Sequence, residues 1–283
     1  MSLFHRKLIL LFLIVLPFPI RAQIISSEDY RKSVDTIANL FKSISGTQSE
    51  NEKIACNGKI VNIFKQLLSE PKSFTYSFDT LKNVGHIVAP DKSFRIINWN
   101  LPLLNGTHRY FCFLQVNQQS TVQLFELTDR SEEIPKPENA VLYNGDWYGG
   151  LYYKILRNEV KDKVYYTLLE LQYHNFFITR KIIDVLYFDQ LGNPAFGAPI
   201  FEVESKMKKR VVFEYSAKSG MNLRYDDKLQ MIVFDHLVPS QSAYTGQYEY
   251  YSPDLTFDGF KFLKDHWIFK SNLDIRRPDQ PHR

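Results

Sequence analysis

Cysteine is nearly absent from this chain, with Cys56 and Cys112 the only two among 283 residues. Two cysteines cannot build the dense disulfide framework of a small stapled domain. Cys56 falls on a helical pattern and Cys112 on the strand pattern Tyr110–Gln115. Neither has a CxxC partner or an adjacent histidine, so nothing in the sequence activates a thiol or assembles a thiolate metal site. Two buried thiols and one disulfide both fit. Glycine is also sparse, at 12 residues, and no phosphate-cradling GxxxxGK[ST] or GxGxxG loop occurs. HExxH and GxSxG are missing too, which removes the common zinc-protease and α/β-hydrolase signatures. No motif implies a cofactor or a metal.

A one-sided charge is lacking as well. Lys and Arg number 35 against 31 Asp and Glu, and Arg6, Lys7 and Arg21 lie in an N-terminal leader. The rest of the chain is close to neutral and has no electrostatic footprint for nucleic acid. Lys206, Lys208, Lys209 and Arg210 form the one basic cluster, read as a solvated turn ahead of a strand. Long apolar runs are confined to the N-terminus, where Leu8–Leu16 spans less than half of the roughly 20 residues a membrane helix needs. Arg6 and Lys7 precede this run, Pro17 and Pro19 end it, and Ile20-Arg21-Ala22 puts a small residue before Gln23. Charged, apolar and cleavage regions in that order predict a secretory signal over residues 1–22, cut after Ala22. A retained anchor is the alternative, since Arg21 crowds the cut. Export places the protein in the periplasm or outer envelope, or outside the cell, with no transmembrane segment after cleavage.

Two helices are predicted over residues 23–70. Tyr30, Val34, Ile37, Phe41 and Ile44 recur at helical spacing, with Ser26 and Asp29 as a capping box and Gly46 as the stop. Ser49 and Glu52 repeat the start signal, Ile54, Val61, Phe64 and Leu68 form a second stripe, and Pro71 closes it. Two short amphipathic helices cannot bury both stripes alone, so they are expected to dock on a larger body. Residues 71–283 supply it. Strand signals recur at Phe94–Asn98, Tyr110–Gln115, Val122–Leu127, Leu151–Leu156, Val164–Leu171, Lys181–Phe188, Arg210–Tyr215, Met221–Tyr225, Met231–Leu237, Gly259–Leu263 and Trp267–Lys270. Turns separate them and no crossover helices intervene. This spacing predicts a mainly β, antiparallel meander body, whether sandwich, barrel or propeller-like. The polar segment Ser131–Asn139, with two prolines, is the best internal break.

Candidate site residues come from two sources. The first is aromatic. Asp146, Trp147 and Tyr148 sit between Gly145 and Gly149-Gly150, where glycine allows a turn, a close backbone approach or a ligand. Tyr248 and Tyr250, with Tyr244 and Tyr251, form a second cluster. Exposed rings of either group could stack on a sugar or grip a peptide, and the competing reading is that they pack the core. The second source is acidic: Asp226, Asp227, Asp235 and His236 lie on two adjacent strands and could perform acid–base work if they converge. Asp226-Asp227-Lys228 also suits a hairpin turn, and Asp235 with His236 also reads as a hydrogen-bonded pair. Asp254 and Asp258-Gly259 read as turns, because the oxygen spacing of a calcium loop is absent. Asn105-Gly106-Thr107 matches a glycosylation sequon.

The segments NGDWYGGLYYKIL (Asn144–Leu156), RKIIDVLYFDQLGNPAFGAPIF (Arg180–Phe201) and RVVFEYSAKSGMNLRYDDKLQMIVFDHLVP (Arg210–Pro239) resemble a group of exported proteins of the Gram-negative envelope with no assigned activity. The resemblance covers roughly Tyr143 to Arg276. It implies an envelope setting and carries over no catalytic residue. The group has a Gly-Trp-Asp segment after Thr-Leu-Leu; here Thr167-Leu168-Leu169 is followed by Glu170-Leu171-Gln172. The resulting expectation is an exported, non-catalytic binding or structural protein that contacts an envelope protein, peptide or glycan through aromatic loops. A hydrolase built on the converging carboxylates and histidine of the C-terminal half is the alternative.

Overall fold

The computed structural model describes residues 27–274. The leader, its cut after Ala22 and the capping residue Ser26 lie outside them. Two helices come first, α1 (Ser27–Gly46) and α2 (Glu50–Leu68). All five stripe residues of α1 are buried. Ser49 caps α2 as predicted, accepting the Glu52 backbone N–H at 3.3 Å. The α2 stripe is rotated from the expected one. Ile54 is exposed, and the inward face carries Asn57, Ile60, Phe64, Leu67 and Leu68. Asn57 earns its place by accepting the Trp99 indole N–H at 2.8 Å.

Sixteen strands follow among the described residues. β1 (Gly85–Val88), β2 (Phe94–Pro102), β3 (His108–Gln118) and β4 (Thr121–Thr128) form a first antiparallel meander. The second sheet is built on β6 (Leu151–Val160), β7 (Lys163–Tyr173) and β8 (Ile178–Phe188). β5 (Leu142–Tyr143), β9 (Pro194–Phe196) and β12 (Val211–Ser216) complete it, β9 and β12 pairing opposite ends of β8. The third sheet has the order β11 (Lys206–Lys208), β10 (Phe201–Val203), β16 (His266–Lys270), β15 (Tyr251–Leu263), β14 (Met231–Pro239) and β13 (Leu223–Asp226). β10 joins β16 in parallel; the other pairs are antiparallel. The strands missing from the sequence reading, β1, β5 and β9 to β11, have at most four residues, too few for an alternation to register.

Strand alternation sorts the molecule into four layers. Successive side chains of a strand point to opposite faces. Ile97, Trp99, Leu101 and Phe113 meet the helices. Phe94, Ile96, Cys112 and Leu114 point the other way, onto Leu168, Ile182 and Leu186 of the second sheet. Leu169, Ile183 and Val185, the alternate residues of those strands, pack on Ile232, Phe234, Phe260 and Trp267 of the third. The body is a stack of sheets with the helices docked on one outer face, which selects the sandwich among the three expected forms. One tryptophan sits at each interface, and all three are enclosed. Trp99 bonds Asn57, Trp147 donates to the Tyr152 hydroxyl at 2.7 Å, and Trp267 donates to Thr167 Oγ1 at 3.0 Å. A buried indole N–H needs such a partner.

Both cysteines are free thiols, Cys112 in the core between the first two sheets and Cys56 on α2. Ser131–Asn139 links the first sheet to the second, and the apolar core is shared across it, joining Leu114 and Leu127 to Leu168 and Ile182. Asp258-Gly259 is a correction: both residues lie inside β15 rather than in a turn. Gly259 is required there because a Cβ would stand 2.6 Å from the Ile232 carbonyl oxygen.

Candidate functional site

The segment Ser131–Asn139 makes two 3₁₀ turns along the second sheet, and the basic run of the sequence holds it down. Arg210 Nη1 donates to the Pro137 carbonyl at 2.6 Å, the Lys209 N–H to the Glu138 carbonyl at 2.9 Å, and Lys208 Nζ reaches Glu138 Oε1 at 2.9 Å. The expected solvated turn is therefore corrected for Arg210, which is fully buried against Asp184 Oδ2 at 2.8 Å.

Under this segment lies an open cleft of about 690 Å³, lined by Tyr148, His174, Arg180, Glu214 and Tyr248 as well as the segment itself. Arg180 donates from Nε to Glu214 Oε1 at 2.8 Å and from Nη1 to Gln172 Oε1 at 2.9 Å. Gln172 in turn donates to the Gly149 carbonyl. The floor thus offers one fixed guanidinium, one carboxylate and a tyrosine. His174 Nδ1 stands 3.4 Å from Glu132 Oε1, and burial, with help from Arg180, holds its pKa below the usual histidine value. It presents a neutral imidazole at pH 7, able both to donate and to accept.

The aromatic candidates divide. Trp147 is completely buried, so its role as an exposed stacking ring is corrected: its backbone bonds Thr128 and Arg130, and its ring fills the core between the first two sheets. Tyr148 is 3% exposed and packs in the same core as Trp147, so its role as an exposed stacking ring is corrected too, although it backs the cleft lining; the Arg210 guanidinium lies over its ring at 5.5 Å, and burial pushes its hydroxyl up to about 12. Asp146 is exposed on a 3₁₀ turn outside the cleft lining. Tyr248, 40% exposed, forms the rim, while Tyr250 is exposed outside the lining and stacks on Tyr244 at 4.2 Å. The paired glycines serve close backbone approach. A Cβ on Gly149 would run into the Asp129 carboxylate, and one on Gly150 would come within 2.9 Å of Glu170.

The acidic candidates do not meet. Asp226 Oδ1 accepts the Lys228 and Leu229 N–H groups of its turn. Asp227 is part of the same turn. Asp235 binds Asn222 through its backbone N–H and side-chain amide, whereas His236 Nδ1 pairs with Asp258 Oδ2 at 2.7 Å. The expected Asp235–His236 pair is replaced by two separate ones, since adjacent strand residues point to opposite faces. Among the described residues no group of three metal-ligating side chains is assembled.

Sequence reasoning missed a buried charge cluster behind the cleft. Glu170, Asp184 and Arg210 are fully enclosed between the sheets. Burial, reinforced by the neighbouring Asp184, drives the Glu170 pKa well above the ordinary carboxylate range, and Arg210 opposes the rise without cancelling it. Burial also raises Asp184, but its Arg210 partner and the Val185 N–H restrain it. Glu170 is the carboxyl that keeps its proton, as desolvation and a like charge require. Charged residues interrupting the apolar runs Leu168–Leu171 and Ile182–Val185 were the available signal. Comparison with known proteins gives no match: no family model, curated protein or solved structure aligns with the chain.

Proposed function

We propose that the protein is an exported envelope protein that binds a peptide or glycan in the cleft beneath Ser131–Asn139. One observation carries this reading: Tyr148 and Tyr248, from separate parts of the chain, both line the cleft with the Arg180–Glu214 pair and His174. Binding sites are concave and combine apolar or aromatic walls with a few polar groups held in place. Here Gln172 and Glu214 hold Arg180, so its donors are fixed before any ligand arrives. The cleft offers donors and acceptors in near balance, which suits hydroxyl and amide groups better than a highly charged partner. The leader-like residues 1–22 and the resemblance to exported envelope proteins support the setting. The hydrolase alternative loses its motivation, because Asp226, Asp227, Asp235 and His236 do not converge. Soluble cell-wall fragments, which carry both sugar and peptide, are the probe. Saturable binding that weakens at least tenfold in Tyr248→Ala, with unchanged thermal stability, supports the proposal. Equal binding by both proteins removes the cleft as the site.

A further inference from the structure

Another open hollow, of about 650 Å³, lies where α1, α2 and the turn ahead of β1 meet β2, β6 and β7. Asn98 and Asn100 continue the face of β2 that carries Phe94 and Ile96, so the apolar interface between the first two sheets turns polar at this end. Asn98 is 1% exposed; its Nδ2 donates to the Tyr152 carbonyl at 3.4 Å, and its Oδ1 has no hydrogen-bond partner. A buried acceptor without a donor is costly. A Cβ on Gly85, also in the lining, would stand 2.8 Å from that oxygen, so glycine is what lets the chain pass beside the amide. Asn100 Nδ2 meets His108 Nδ1 at 2.6 Å, which holds the second amide in place. Tyr153 and Tyr173 in the wall are 38% and 41% exposed, and the Tyr153 hydroxyl donates to the Leu223 carbonyl at 2.8 Å, which fixes its ring.

The charged lining is of one sign. Lys53 and Lys82 are its only ionised side chains. Each Nζ is held by a carbonyl, Lys53 by Pro102 at 3.4 Å and Lys82 by Asp79 at 3.2 Å, and neither has a carboxylate partner among the described residues. The acids of the flanking segments stand outside the lining: Glu50 accepts the Leu104 N–H at 3.2 Å, Glu52 accepts the Thr47 hydroxyl, and Asp79 lies 3.9 Å from His86. A ligand inside the hollow therefore touches two ammonium groups and no carboxylate. We propose that the hollow binds an acidic saccharide built of uronic-acid units. The exposed tyrosine rings take the C–H faces of the sugar, the asparagine amides its hydroxyls, and Lys53 and Lys82 its carboxylates. A neutral sugar would leave both ammonium groups unused, and a simple apolar acid would leave the amides unused. The hollow shares no lining residue with the cleft beneath Ser131–Asn139, so this site stands or falls separately.

Tetragalacturonate and its methyl ester, which keeps the rings and hydroxyls but loses the charge, are the probes for calorimetric titration of the full chain. An exposed ion pair is worth up to about fivefold in affinity. Tetragalacturonate should therefore bind saturably and about tenfold more tightly than the ester. Lys53→Gln/Lys82→Gln should weaken its binding about tenfold, with unchanged thermal stability. Tyr248→Ala, which alters only the other cleft, should bind it as the wild type does. Absence of binding to the wild type overturns the proposal, and equal affinity for acid and ester overturns the acidic ligand. Equal affinity in the lysine variant, or a loss in Tyr248→Ala, removes the hollow as the site.

Discussion

Arg210 meets Asp184 at 2.8 Å with neither side chain reaching solvent, and the same guanidinium donates to the Pro137 carbonyl of the cleft segment. One buried residue therefore ties the charge cluster to the segment that lines the cleft. Removing one partner of a buried ion pair leaves the other uncompensated, at a cost of about 3–5 kcal/mol. Arg210→Met should lose stability by that amount in chemical denaturation. Amide exchange in Ser131–Asn139 should also rise relative to the third sheet. A variant of near-native stability would show that the pair does not hold the segment.

Glu170 gives a pH signature whose sign is fixed. In the unfolded chain it ionises near pH 4.3, whereas the folded protein keeps its proton to higher pH. Between those values the folded state binds the extra proton, so stability falls as pH rises. Asp184 acts with the same sign and more weakly. Glu170→Gln should have a shallower decline above about pH 5 and exceed the wild type in stability at pH 8. Parallel stability profiles for the two proteins would contradict a protonated Glu170.

Trp147 serves the core, and its loss should show as instability rather than lost binding. Trp147→Ala is expected to cost about 3–5 kcal/mol, as for other enclosed rings. Denaturant midpoints of the two proteins decide it, and a change below about 1 kcal/mol would mean that the ring is not enclosed.

Cys112 is buried and its thiol pushed well above the usual range by burial. It should resist thiol reagents in the native protein and react only on unfolding. Fast labelling of two thiols without denaturant would be inconsistent with this packing.

The fold class was legible because its signals are local and repeated. Tyr30, Val34, Ile37, Phe41 and Ile44 gave α1, and the long strands carried dense aromatic and β-branched patterns. The layer order was not legible, since Ile96 and Ile97 look alike in sequence yet face different layers. The cleft was half visible. Tyr148 and Tyr248 were singled out, but His174, Arg180 and Glu214 matter only through contacts distant in sequence, and loop aromatics do not reveal which rings are enclosed. Trp147 and Tyr148 are adjacent, and the strand-like backbone at that point sends one ring wholly inward.

Tyr248, Arg180 and Glu214 line the cleft proposed to bind a peptide or glycan. Calorimetric titration of the full chain with soluble cell-wall fragments tests that proposal most directly, alongside the variant Tyr248→Ala/Glu214→Gln. We expect saturable binding to the wild type and at least a tenfold loss in the variant, with thermal stability lowered little. Absence of binding to the wild type, or equal affinity in both proteins, would remove the cleft as a peptide or glycan site.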